Sequence, residues 1–180
     1  MSDALWAALY LQWPVVVGGV LHMAMVAHGV WPALARPVHL RWFGSNKTWR
    51  GLLAMPLLTA LGAMSLPVID TLWGRPAGVP PDAVPVLMGA VAGLGYVLAE
   101  LPNSYFKRRI GIPAGATPDR HRGIYVLLDQ LDSAVGVALA YMLYLGCGPA
   151  VLLAYVLSFP ITALLVKRLL FMARLKKSAL

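Results

Sequence analysis

The stretch that decides the fold runs from Glu100 to Ser133 and reads ELPNSYFKRRIGIPAGATPDRHRGIYVLLDQLDS. Two long apolar runs meet in it, and each carries acids where a lipid-facing helix would carry none. On the first run Glu100, Ser104, Lys107 and Arg108 recur at i, i+4, i+7 and i+8, which gathers them on one face of a helix. On the second, Asp129 and Asp132 stand three apart and share a face as well. The connection between the runs contains Gly and Pro together with Lys107, Arg108, Arg109, Arg120 and Arg122. Carboxylates to hold a divalent cation, beside cations to hold phosphates, are what chemistry on a nucleoside triphosphate requires.

Working outward, the composition is that of a membrane protein. Of 180 residues, 59% are hydrophobic and 12% charged, against about 25% charged in soluble domains. The mean hydropathy is +0.72. A net charge of +8 would suit nucleic acid, but loop charges facing anionic lipid explain it here, so no nucleic-acid partner is expected. The single cysteine, Cys147, excludes an internal disulfide and a Cys-based metal cluster. The opening MSDALWAALYLQW has no basic region and no small-residue cleavage site, and is expected to begin a helix rather than serve as a signal peptide. A single all-α transmembrane domain over residues 1–180 is the expectation.

Five apolar stretches approach the roughly 20 residues a bilayer crossing takes: 6–29, 51–73, 84–106, 124–146 and 149–172. Their connections are charged very unevenly. Loop 30–50 carries Arg36, Arg41, Lys47 and Arg50, loop 107–123 the five basic residues above, and the C-terminal end Lys167, Arg168, Arg174, Lys176 and Lys177. Of the 15 Lys and Arg residues, Arg75 alone falls on the other side. The positive-inside rule then predicts five transmembrane helices with the N-terminus outside, the C-terminus cytoplasmic, and both busy loops in the cytoplasm. Placed so, the chain would lie in the plasma membrane with its site facing the cytoplasm.

Other features read more plainly. His22 and His28 stand six apart on different faces of the first helix and are expected to pack toward the bundle or the interface rather than share a metal. In RPVHLRWFGSNKTWRG, Gly44, Ser45 and Asn46 suggest a turn. Lys47, Thr48 and Arg50 offer phosphate-binding donors just before the second span, while Trp42 and Trp49 would suit an interface. Asp70 is expected to be solvated near an outer helix end, and Gly89 and Gly93 to permit close helix approach. Pro102 removes one backbone hydrogen bond among the polar residues and should kink its helix. At 1.5 Å per residue, Glu100 lies roughly 9 Å inside the inner boundary, Asp129 about 8 Å and Asp132 about 12 Å. The three acids therefore reach similar depth on antiparallel neighbours, beyond what a purely structural salt-bridge network would need.

At these residues the chain resembles the CDP-archaeol synthase family, membrane cytidylyltransferases related to CDP-diacylglycerol synthases. GSNKTWRG resembles the family's Gly-rich, Lys-Thr segment before the second helix. ELPNSYFKRR resembles its acid–x3–Ser–x2–Lys-Arg-Arg signature, with Glu100 where an Asp is expected. LLDQLDS resembles the Asp-x2-Asp-Ser end of the wider signature, with Gln130 where that wider family has Arg. The interval RIGIPAGATPDRHRGIYV shares Gly and basic character but lacks the wider family's Lys-Asp pair and Gly-His-Gly-Gly segment, and Asp119 is not assigned the missing acid's role.

The resemblance implies transfer of a cytidylyl group from CTP to a membrane lipid phosphate, releasing pyrophosphate. It implies Asp129 and Asp132, with Glu100, as ligands of Mg2+ or Mn2+, and Lys107 as a catalytic partner. Lys47, Thr48, Arg50, Asn103, Ser104, Arg108 and Arg109 are the implied substrate-binding set. A CTP-dependent kinase of a polyprenol or other lipid alcohol is the nearest alternative, with Glu100 as base. A non-catalytic transporter or scaffold is disfavoured because, of the acids, only Asp70 and Asp82 would continue a path to the outer face.

Overall fold

A computed structural model describes residues 3–118 and 121–172; Asp119, Arg120, Arg174, Lys176 and Lys177 lie outside them. In chain order the elements are α1 (Asp3–Ala27), a 3-10 turn (Pro32–Leu34), α2 (Leu40–Phe43), α3 (Trp49–Ala63) and α4 (Leu66–Trp73). Then follow α5 (Pro85–Arg109), α6 (Arg122–Leu145) and α7 (Pro149–Met172). With α3 and α4 taken as one span, five helices are long and apolar enough to cross a membrane. Their ends agree with the expected spans to within a few residues, the ordinary scatter of helix boundaries.

The second span departs from a single helix. Pro67 has no N–H for the turn before it and its ring crowds that turn, so α3 stops at Ala63 and α4 restarts at Leu66. Ser65 covers the break: its Oγ donates to the Gly62 carbonyl at 2.7 Å and accepts from Trp13 Nε1 of α1 at 2.8 Å. Pro102, by contrast, lies within a continuous α5.

The outer surface of the bundle is apolar, and a few polar side chains lie within its apolar core. Leucines point outward, Leu143 being 82% exposed and Leu157 64%, while Tyr10, Gln12, Tyr141 and Tyr155 are buried. Some of their polar tips find partners inside: Tyr141 donates to the Leu11 carbonyl at 2.9 Å, and Gln12 Nε2 donates to Ser158 Oγ at 2.7 Å, whereas the Tyr155 hydroxyl has no hydrogen-bond partner among the described residues. Water being absent from the hydrocarbon, helix-to-helix bonds of this kind satisfy groups that lipid would leave bare.

The spans close in chain order into a ring: α1 packs on α3, α3 on α5, α5 on α6, α6 on α7, and α7 back on α1. Small residues set the tightest contacts. A Cβ added at Gly93 would sit 2.2 Å from Thr59 Oγ1, and one at Gly136 would sit 2.3 Å from the Gly95 carbonyl oxygen. Thr59 Oγ1 also lies 2.7 Å from the Gly89 carbonyl oxygen, joining α3 to α5. The expected close approach at Gly89 and Gly93 is therefore made against α3.

Asp70 corrects an expectation. It is not solvated: its side chain is 18% exposed and acts as a knot at the end of the bundle opposite the acids of α5 and α6. Tyr10 of α1 donates to Oδ1 at 2.8 Å, and Arg75 donates to Oδ2 through Nε at 3.0 Å and Nη2 at 2.7 Å. Arg75 Nη1 reaches on to the carbonyls of Pro80 and Pro81, so one carboxylate fastens α1, α4 and the Pro-rich loop together.

Candidate active site

At the other end of the bundle, the polar residues of α5 and α6 face each other and form one continuous hydrogen-bonded ladder. Lys107 Nζ pairs with Asp129, its bond to Oδ2 being 2.6 Å. Asn103 Nδ2 donates to Asp129 Oδ1 and to Asp132 Oδ2, each at 2.6 Å. Ser133 Oγ lies 3.0 Å from Asp132 Oδ1 and 3.4 Å from Glu100 Oε1. Lys47 closes the ladder by pairing with Glu100 Oε2. Helical spacing places Glu100, Asn103 and Lys107 along the same side of α5, and Asp129, Asp132 and Ser133 along the facing side of α6.

The loop before α3 delivers Lys47. Val38 N donates to the Lys47 carbonyl at 2.8 Å and Trp49 N to the Arg36 carbonyl at 3.0 Å, which fold the loop back on itself beside the bridge between Pro37 and Thr48. The Thr48 hydroxyl then caps α3 by accepting from Gly51 N at 3.3 Å. Arg50 donates to the Val30 carbonyl at 3.2 Å.

Charge counting indicates what this ladder could hold. Three carboxylates face two ammonium groups, which leaves one negative charge in a half-buried place. Asp129 Oδ1 and Asp132 Oδ2 converge on a single point, each 2.6 Å from the Asn103 nitrogen. Two convergent carboxylate oxygens with surplus negative charge suit a hard divalent cation, and the opposite orientation of the Asn103 amide would add a third oxygen. Among the described residues no three His, Cys, Asp or Glu side chains lie close enough to hold a metal together. Glu100 reaches the Asp pair only through Ser133.

Beside the ladder lies a cavity of about 620 Å³ between α1, α3, α5 and α7. Its length is apolar, walled by Val15, Met23, Val97, Phe159 and Val166, and one end is polar. Lys47, Thr48, Arg50, Glu100, His22, Gln130 and Lys167 line it there, so ladder and cavity share Lys47 and Glu100. His22, read from sequence as a packing residue, is a lining residue; its Nε2 is buried without a hydrogen-bond partner among the described residues, as is Arg50 Nε.

The remaining predicted residues fall elsewhere. Ser104 is buried in α5 and makes none of the ladder's bonds. Arg108 and Arg109 line a separate recess with Arg41, Trp42 and Tyr105, on the α2 side of α5. Trp42 and Trp49 are half-exposed, as interfacial residues would be.

The chain is similar to a protein named CDP-archaeol synthase from Thermococcus onnurineus (strain NA1), at 28% identity over 158 residues, covering 78% of this chain and 76% of that one. That likeness supports the resemblance to the CDP-archaeol synthase family. The likeness covers most of the chain and so reaches beyond the three motifs. No family model matches the chain, and no solved structure matches it significantly.

Proposed function

We propose that this chain is a CTP-dependent cytidylyltransferase that acts on a phosphate-terminated membrane lipid, as the name of its archaeal relative implies for that protein. The observation that carries the reading is the shared edge, Lys47 and Glu100, between an amphipathic cavity and a ladder rich in carboxylates. A lipid phosphate is itself amphipathic. Its tails would lie along Val15, Met23, Phe159 and Val166, and its phosphate would meet Lys47, Arg50 and His22. The triphosphate of CTP would lie along the ladder, with Lys107 as its principal cation.

The chemistry asks little of an acid or base. A lipid phosphate oxygen is already nucleophilic; it attacks the α-phosphorus of CTP, one P–O bond forms, and the bond to the bridging oxygen breaks. Pyrophosphate leaves with the electron pair. The enzyme must align the two phosphates and offset their charge. Lys47 would hold the attacking phosphate while paired to Glu100, and Lys107 would offset charge on the departing one. Asn103 keeps Asp129 and Asp132 aimed at a common point. Magnesium, or manganese in its place, would be held by Asp129 and Asp132, with Glu100 nearby through Ser133, and would supply charge neutralisation and a template for the phosphate oxygens. The polar end would face the cytoplasm, where CTP is made, in keeping with the basic loops on that side.

Purified chain incubated with CTP, magnesium and a panel of lipid phosphates should release pyrophosphate only when both substrates are present. Release that ignores the lipid, or none with any lipid phosphate, would contradict the reading.

A further inference from the structure

The recess on the far side of α5 has no role in the proposed reaction, and its chemistry is distinct. We infer that it binds the phosphate headgroup of an anionic membrane lipid, an interaction independent of the cytidylyl transfer proposed above. Arg41 of α2 and Arg108 and Arg109 of α5 line a space of about 380 Å³ with Trp42 and Tyr105, and no carboxylate lines it. None of the ion pairs among the described residues involves these arginines. Arg108 Nε and Nη1 are buried and have no hydrogen-bond partner among the described residues. Buried guanidinium donors left without acceptors are costly, and like charges brought together repel, so the arrangement calls for an anion.

The aromatic rings shape the recess. Trp42 and Tyr105 meet edge to face, with centroids 6.3 Å apart. Arg109 stacks on Tyr105, its Cζ 5.1 Å from the ring centroid, and its Nε donates to the Tyr105 hydroxyl at 2.9 Å. These contacts fix one guanidinium in place, and a planar guanidinium matches phosphate oxygens two at a time.

The surroundings select a lipid rather than a free phosphate. Leu40 and Phe106 beside the recess are each 65% exposed, and Ile110 is exposed too. The recess also lies at the end of a membrane-spanning helix. A phosphate carried on acyl or isoprenoid chains would place charge among the arginines and chains against this apolar rim. Basic pockets between transmembrane helices bind anionic headgroups in the same manner.

The test uses the full chain in neutral detergent and titrates short-chain phosphatidylglycerol, short-chain phosphatidylcholine and inorganic phosphate, with intrinsic tryptophan fluorescence near Trp42 as the readout. Phosphatidylglycerol should bind best. Arg41→Gln, which alters an exposed residue and leaves the fold intact, should weaken it about tenfold, the size of one lost charge-assisted contact. Arg108→Gln should weaken it as much, with circular dichroism confirming the fold, and Lys47→Gln in the larger cavity should leave it unchanged. Affinity that survives Arg41→Gln, affinity that follows Lys47 instead, or equal binding of inorganic phosphate would each overturn the inference.

Discussion

Asp129→Asn and Asp132→Asn are each expected to lower cytidylyl transfer on the order of 10²–10³-fold, the loss seen when one preorganised charge-stabilising group is removed. Asparagine keeps the size of the side chain and one acceptor oxygen, so the bond from Asn103 to each position survives and the protein should purify and melt normally. What disappears is charge. With either substitution the ladder changes from three carboxylates against two ammonium groups to two against two, and its attraction for a divalent cation goes. Transfer should accordingly require magnesium or manganese and stop in chelator. Near-normal turnover in either variant, or full activity in chelator, would remove the metal from the proposal.

Lys107→Gln is expected to separate two effects that usually travel together. Lys107 is 8% exposed and holds Asp129 directly. As the proposed cation for the triphosphate, its loss should lower kcat/KM for CTP by about 10- to 100-fold, in the range of one or two charge-assisted contacts. As a competitor for the Asp129 carboxylate, its loss should also reduce the magnesium concentration needed for half-maximal rate, because a cation near an acid disfavours a second cation there. Weaker catalysis with a lower magnesium requirement marks a residue at the phosphate. A change in melting temperature with both kinetic parameters intact would mark a merely structural one.

Much of this could be read from the chain because charge stands out against apolar runs. The spans were legible by length and hydropathy, and the depth arithmetic brought Glu100, Asp129 and Asp132 level before any contact was known. The partners were less legible. Lys47 reaches Glu100 from 53 residues away, through a loop whose fold depends on backbone bonds that no periodicity reveals. Arg108 shows the limit of spacing rules. At about 100° per residue Lys107 points within about 20° of Glu100, but Arg108 is turned about 80° from it. That rotation carries Arg108 toward α2 and away from the ladder. His22 was hidden for a different reason: a lone histidine in an apolar helix looks the same whether it packs or lines a cavity. The break at Ser65 was not expected, because the second span reads as one stretch over 51–73; Pro67 interrupts it there, and the repair by Trp13 joins two distant helices.

The position of the transferred phosphorus tests the proposed reaction most directly. Purified chain is given a lipid phosphate, magnesium and CTP labelled at either the α or the γ phosphate, and the label is traced between the lipid and aqueous products. Label from the α position is expected in the lipid, with the γ label leaving entirely as pyrophosphate. Label from the γ position in the lipid, with the α label left in soluble CDP, would show a phosphoryl transfer instead and contradict cytidylyl transfer.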